Sequence, residues 1–425
     1  MNINTNWFLK LAFLSFFYLS VINVRGRFLP SEKGGDDIVP PDGMCSTAAV
    51  TAHGFKCQEY SVTTDDGYIL SVQRIPEGRS GGDVRPRQPV LLHHGLLVDG
   101  LTWLKSSPEQ SLAMMLAENG YDVWISNNRG TRFSRRHVSL DPIHLKFWDW
   151  TWADLVSHDL PSVIDFIYKK TGQRIHFAGH SMGTLIALVS LSEGRFKNVK
   201  SAALLSPIAY TSNITSPLLQ AAAKSLFGEI GEIFGVAEFD PNGYDIALPM
   251  YTPSKFNEIR LEAVNFIQSL CAIVECDDLV TALTGKNCCL NKTTFANFVK
   301  DDLQSTATKN LVHFSQSVRS GVLSKYDYGI HKNRQIYGAD RPPVYDLSKI
   351  PPDFPLFISY GGQDAMTNGK DVDRLLDILK STHDKGKMQV QYIKEYAHVD
   401  FIMSVNAYDR QYVHAVVAVR SEAEL

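Results

Sequence analysis

The pentapeptide Gly179-His180-Ser181-Met182-Gly183 constrains this chain more than any other feature. It stands between Ile175 to Ala178, an apolar burst of strand length, and Thr184 to Ser192, an apolar run of helical character. The pattern G-x-S-x-G at a strand-to-helix junction describes a sharp turn that exposes a serine hydroxyl near the positive end of the following helix. Side chains two residues before or after that serine would collide with neighbouring elements, so both positions call for glycine. Five residues match by chance in many proteins. The strand before and the helix after give this match its meaning.

The rest of the chain repeats the same rhythm. Further bursts of strand length lie at Val90 to Leu92, Asp122 to Ile125, Ala202 to Leu205, Leu356 to Ser359 and Val390 to Ile393. Upstream, Gln58 to Thr63 and Tyr68 to Arg74 flank Asp65-Asp66-Gly67, a hairpin signal with β-rich arms. Helical spacing at Ser111 to Glu118, Leu155 to Tyr168 and Val372 to Leu379 separates most of the bursts. This alternation predicts an α/β fold, a mainly parallel sheet covered on both faces. From Pro207 to Asp340 the rhythm breaks. No convincing buried strand stands there, while Leu218 to Phe234 and Asn257 to Val274 carry apolar residues three and four apart. The chain therefore reads as one sheet domain built from 27–206 and 341–425, interrupted by a helical cap at 207–340.

The amino terminus is expected to lie outside that fold. Leu11 to Val24 is apolar, follows Lys10 and is short for a bilayer span; with Val24 and Gly26 before a cleavage site, residues 1–26 read as a signal peptide. No later apolar run approaches membrane-spanning length, so no transmembrane anchor is expected in the mature chain. The expected destination is the secretory pathway, ending outside the cell or in a vacuolar or lysosomal lumen. Six cysteines fit such an oxidising compartment. Cys45 and Cys57 lie close enough to pair locally, and Cys271, Cys276, Cys288 and Cys289 form a second group whose connectivity stays open. Neither C-x-x-C nor H-E-x-x-H occurs, so no metal site is expected, and no cofactor motif calls for one. Asn213-Ile214-Thr215 and Asn291-Lys292-Thr293 are glycosylation sequons, to which the signal peptide lends weight. With 42 basic against 45 acidic residues and a formal charge of −3, the chain does not suit a polyanion, and nucleic acid is not an expected partner.

A serine hydroxyl is too weak an acid to attack an ester at neutral pH alone, so a histidine and an orienting carboxylate must follow. In this sheet class they come in the order acid, then histidine. Asp364 ends Tyr360-Gly361-Gly362-Gln363-Asp364, just after the strand at Leu356 to Ser359, and His398 lies in Tyr396-Ala397-His398-Val399-Asp400 after the last strand. The competitors are weaker: His383 lies in a polar loop, His414 in an expected last helix, and Asp371 and Asp373 at a helix start, where carboxylates favour the dipole. Glu395 and Asp400 are too near His398 in sequence to reach around its ring. The negative oxygen that develops on the attacked carbonyl needs two donors. The Met182 amide is one. The other is expected at Leu96, in His93-His94-Gly95-Leu96-Leu97 after the strand at Val90 to Leu92, with His94 holding that loop by hydrogen bonds.

Seven stretches together resemble the acid lipases, the gastric and lysosomal lipases with plant homologues described as triacylglycerol lipases. They are His94-Gly95-Leu96-Leu97, DVWISNNRGTRFSRRHV from Asp122, FWDWTW from Phe147, DLPSVIDFIYKKTGQ, the elbow pentapeptide, YGGQDAMTNGKDV and YAHVDFI. The resemblance runs from Asp65-Asp66-Gly67-Tyr68 to His398, nearly the whole mature chain. It implies an α/β-hydrolase fold whose helical cap shields the site and moves at a lipid interface. It also implies Ser181 as nucleophile, Asp364 as orienter, His398 as base, and Leu96 and Met182 as oxyanion donors, in agreement with the residue reading. Animal members carry Gln where this chain has Met182 and Asn-Thr where it has Thr131-Arg132, departures that point to the plant branch. The expected activity is hydrolysis of acylglycerol esters at a lipid interface through an acyl-enzyme. Steryl esters, small acyl esters and acyl transfer are alternatives on the same triad. A non-catalytic lipid-binding scaffold fits less well, because no triad member is missing.

Overall fold

The structure, a computed structural model, describes residues 43–46, 50–81, 86–233, 235–241 and 276–407. The expected signal peptide, the helix expected over Asn257 to Val274, Cys271 and His414 lie outside the described residues. In chain order the strands are β1 Gln58–Thr63, β2 Ile69–Ile75, β3 Pro89–His93, β4 Asp122–Ser126, β5 Ile175–His180, β6 Val199–Leu205, β7 Glu238–Phe239, β8 Thr306–Ala307, β9 Leu356–Gly361 and β10 Met388–Ile393. Eight of them form one sheet in the order β1-β2-β4-β3-β5-β6-β9-β10. Only the pairings of β2 with β1 and with β4 are antiparallel, so β2 alone runs against the rest.

The central strands are apolar at consecutive positions because both faces of the sheet are buried. Leu91, Trp124, Phe177, Leu204 and Ile358 point into one core. Their neighbours Val90, Ile125, Ala178, Leu205 and Phe357 point into the other. The first core is covered by the helices Leu160–Thr171, Met182–Ser192 and Gly369–Thr382, and the second by Leu112–Glu118 and Asp400–Met403.

β6 pairs directly with β9, Ala202 opposite Leu356 and Leu205 opposite Ser359. Everything between these two strands therefore leaves the sheet at its carboxyl end and returns to the adjacent position. The expectation that this stretch holds no buried strand is corrected: Glu238 and Phe239 pair with Ala307 and Thr306, and all four are buried. A ladder of two residues is too short to register as an apolar burst. The single helix expected over Leu218 to Phe234 is two, Pro217–Lys224 and Phe227–Ile233, parted at Leu226 with φ 57°. The expected helix at Leu155 opens with a π-type turn, Leu155–Asp159, before Leu160–Thr171 continues it.

That turn buries Asp159 opposite Arg129, whose side chain is 1% exposed. The Arg129 guanidinium donates to Asp159 Oδ1 at 2.7 Å and to both Asp66 oxygens at 2.7 and 2.9 Å, and it lies 3.8 Å from the Tyr68 ring centre. One cation thus ties the β1–β2 hairpin to the helix behind the sheet. Arg129→Met leaves Asp159 buried without its partner, and the expected loss is about 3–5 kcal/mol in denaturant unfolding. A midpoint unchanged from wild type would show that the network carries no stability.

Candidate active site

Ser181 separates β5 from the helix Met182–Ser192 with φ 54° and ψ −120°, a backbone geometry side chains rarely adopt. Contacts on every side impose it. A Cβ on Gly179 would stand 2.9 Å from the Gly183 carbonyl carbon, and one on Gly183 would stand 2.6 Å from His93 O. Neither position can carry a side chain without moving backbone, which is the steric demand read from the pentapeptide. The Ser181 amide donates to Leu205 O at 3.1 Å, and Thr184 Oγ1 donates to Ser181 O at 2.6 Å.

The strand ends bring the three sequence-predicted side chains together. His398 Nε2 lies 2.8 Å from Ser181 Oγ, and His398 Nδ1 lies 2.9 Å from Asp364 Oδ2 and 3.2 Å from Oδ1. Burial pushes the Asp364 carboxyl up, but His398 and the hydroxyls of Ser206 and Thr367 outweigh it and hold the group at about 2. Both hydroxyls donate to Oδ2, and the Met366 and Thr367 amides donate to Oδ1 at 2.9 and 2.8 Å. This carboxylate stays ionised at every pH at which the protein would work. The ring of His180 donates from Nε2 to His398 O at 3.0 Å, and burial depresses His180 to about 3, leaving it neutral.

On the opposite side of Ser181 stands the loop after β3. Gly95 approaches so closely that a Cβ there would be 3.0 Å from Ser181 Cβ. Burial holds His94 at about 4, and the neutral ring bonds Gly95 O through Nδ1 at 2.8 Å and accepts from the Asn128 amide through Nε2 at 3.0 Å. It ties the loop, as expected from its position. Among the described hydrogen bonds none uses the Leu96 or the Met182 amide.

The inserted chain is laced to both sides of this site. Thr284 O accepts from the Ala365 and His398 amides, each at 3.2 Å, and Gly285 forms a bridge with Asp364. Asn287 Oδ1 accepts from the Val399 amide at 3.2 Å. Cys288 and Cys289, joined to each other by a disulfide, donate their amides to Asp400 at 3.1 and 3.2 Å. Asp400 Oδ2 also accepts from the Ala397 amide at 2.8 Å, so Asp400 serves the backbone beside His398 and not its ring. On the other side, the Gln304 amide donates to Leu97 O at 2.9 Å, and Arg132 bridges Asp99 at 2.8 Å and Asp302 at 3.0 Å. Asn310 accepts from the Trp152 amide at 2.7 Å and donates to Met182 Sδ at 3.7 Å.

The remaining predicted residues lie apart from the site. Cys45 and Cys57 form a disulfide with Cα atoms 5.4 Å apart, beside β1. Asn213 is exposed, yet its amide nitrogen donates to Asp371 at 2.8 Å and Ser212 at 3.2 Å. Asn291 is also exposed and caps the helix Lys292–Asp301 with its oxygen, 3.1 Å from the Thr294 amide. His383 bonds Phe354 O at 3.1 Å, a packing role. Sequence reasoning missed Ser206, Thr367 and the Thr284–Leu290 strap. Of these only Gly285 left a trace. Its φ is +96°, and a Cβ there would stand 1.9 Å from Gln363 O. Gly285→Ala must push the strap off the Asp364 loop, and kcat on a soluble ester is expected to fall about 10- to 100-fold. Wild-type kcat in this variant would show that the strap has no part in holding the site.

Comparison with known proteins identifies the fold and the family. A family model described as "alpha/beta hydrolase fold" matches residues 88–381, and one described as "Partial alpha/beta-hydrolase lipase region" matches residues 47–107. Triacylglycerol lipase 2 of Arabidopsis thaliana is 46% identical over 95% of this chain and 94% of its own length. Human gastric triacylglycerol lipase is 34% identical over 90% and 92%. Among solved structures, a soluble variant of the monoglyceride lipase of Saccharomyces cerevisiae superposes with a TM-score of 0.51 at 15% identity, covering 89% of this chain and 97% of that one, a likeness of fold alone. The chain belongs to the acid lipase family, the gastric and lysosomal type with their plant relatives, on the α/β-hydrolase fold.

Proposed function

We propose that Ser181 is the nucleophile of an acyl-enzyme mechanism, His398 its general base and Asp364 the group that orients the histidine. Family membership makes the chain a carboxylic ester hydrolase of the lipase type. The observation that carries the assignment of roles is the unbroken hydrogen-bonded line from Ser181 Oγ through both His398 nitrogens to Asp364. As Oγ attacks the ester carbonyl, its proton passes to Nε2 and the carbonyl oxygen becomes an oxyanion. The Leu96 and Met182 amides are the proposed donors to that oxygen. Collapse expels the alcohol, which takes the proton from Nε2, and water then repeats the sequence to release the acid and restore Ser181.

The proposed substrates are acylglycerols met at a lipid interface, as the names of the relatives suggest and as the near-zero charge favours. Ser181 and His398 are 3% and 4% exposed, and on this reading the inserted chain shifts to let an ester reach the hydroxyl. This supports reading 207–340 as a cap over a core formed by 27–206 and 341–425. Among the described residues no helix is long and apolar enough to cross a membrane. The signal-like segment, the disulfides and the exposed Asn213 and Asn291 support passage through the secretory pathway with glycosylation at these asparagines.

Two measurements test these assignments. Ser181→Ala is expected to lower kcat by about 10³-fold or more with an unchanged melting temperature, and to abolish labelling by a fluorophosphonate. Retained turnover or labelling would remove Ser181 from the mechanism. Wild type assayed on esters of graded chain length, dissolved and emulsified, is expected to show a rate that jumps on emulsification of long-chain glycerides. A preference for short dissolved esters would overturn the interfacial reading.

A further inference from the structure

Ser206 follows the last residue of β6, at the point where the inserted chain departs. It is fully buried, with φ 53° and its amide donating to Ser359 O at 2.8 Å. A residue other than glycine in this conformation marks a place where the surroundings overrule local preference. Those surroundings aim its hydroxyl at the Asp364–His398 contact. Oγ donates to Asp364 Oδ2, lies 2.9 Å from His398 Nδ1 and stands 3.0 Å from Thr367 Oγ1.

We infer that the Ser206 hydroxyl is a positioning group that sets how far into acid the Ser181–His398 pair remains active. The inference rests on the triad reading above. A histidine base works only when neutral, and the pull of a neighbouring carboxylate on Nδ1–H raises the pH at which the imidazolium releases its proton. Each donor to the carboxylate spreads its charge and weakens that pull. Ser206 does so directly, and its oxygen also offers Nδ1–H a neutral acceptor beside the charged one. The first effect weakens the carboxylate's hold on Nδ1–H, and it is the one the variants below test.

The other groups facing this pair remain in place when Ser206 is changed. His180 packs its ring 4.9 Å from that of His398, His94 comes from the loop after β3, and Asp400 is held by Ala397 and the strap. In the strap the charged residue is Lys286, which is exposed. Asp371, at the start of the helix after Asp364, is occupied by Ser212 and Asn213.

The test is the pH dependence of kcat/KM on a dissolved short-chain ester for wild type, Ser206→Ala, Ser206→Gly and Ser181→Ala. Both Ser206 variants lack the hydroxyl, and glycine also accepts the left-handed backbone without strain. The acid limb is expected to move up by about 0.5–1 pH unit in both, a roughly 3- to 10-fold loss of kcat/KM on that limb. A limb that moves in neither, or in the alanine variant alone, overturns the inference. So does a lower plateau with an unmoved limb, which would mark mere structural support. With Ser181→Ala inactive, such results count against Ser206 alone; an active Ser181→Ala variant removes the triad reading on which the inference stands.

Discussion

The turn at Ser181 is the constraint on which the rest of the structure depends. Its backbone sits where L residues resist going, and four contacts from three other elements keep it there. Leu205 O at the end of β6 takes the Ser181 amide, and Thr184 in the next helix takes its carbonyl while accepting from Ile208 at 2.8 Å. His93 O at the end of β3 presses on Gly183, and Gly95 on Ser181 itself. The strands β3, β5 and β6 must therefore end at the same level and lie side by side, which is what parallel pairing provides. A sheet that supports this turn has its carboxyl edge free for the loops that complete the site. The two cores on its faces keep that edge rigid.

This explains why so much was legible in sequence. Strands buried on both faces show as uninterrupted apolar bursts, and the residue after each burst falls at the carboxyl edge by geometry. Asp364 and His398 stood out because the chain order expected of a triad and the strand ends coincide. Ser206 did not, although it also follows a strand. A serine before proline reads locally as a turn, and its partner Asp364 lies 158 residues away. Thr367 is hidden in a loop rich in polar residues. The strap from Thr284 acts mainly through backbone groups, which leave no residue-type signature, and β7 and β8 are too short to show a period. The parts that escaped are those whose contacts cross between distant segments without an apolar pattern.

The hydrogen bonds of the inserted chain tie parts of it to the loops around Ser181. Residues 284–290 are bound to the Asp364 and His398 loops, and 302–310 to the loops after β3 and β4 and to Met182. Glu238, pushed up to about 7 by burial against the pull of Arg135, adds a contact between β7 and the loop after β4. An opening motion that carried these segments along would dismantle the site it is meant to uncover. On the proposed reading, the movement that admits an ester leaves them where they are. On the proposed reading of 207–340 as a cap, the insertion is part framework and part cover, with the framework placed on both sides of Ser181.

The same economy appears in the charges. Burial keeps His93, His94 and His180 uncharged, at about 3, 4 and 3, while five donors keep Asp364 ionised at about 2. The Asp364 anion and the Ser181 hydroxyl stand on either side of the His398 ring. In a dry site the energy of the imidazolium depends steeply on how concentrated that anion is. On the proposed triad, donors to Asp364 act on the base through that charge. A chain that gathers two hydroxyls and two amides on one carboxylate spreads that charge over four donors besides His398, and the proposed role of Ser206 rests on that arrangement.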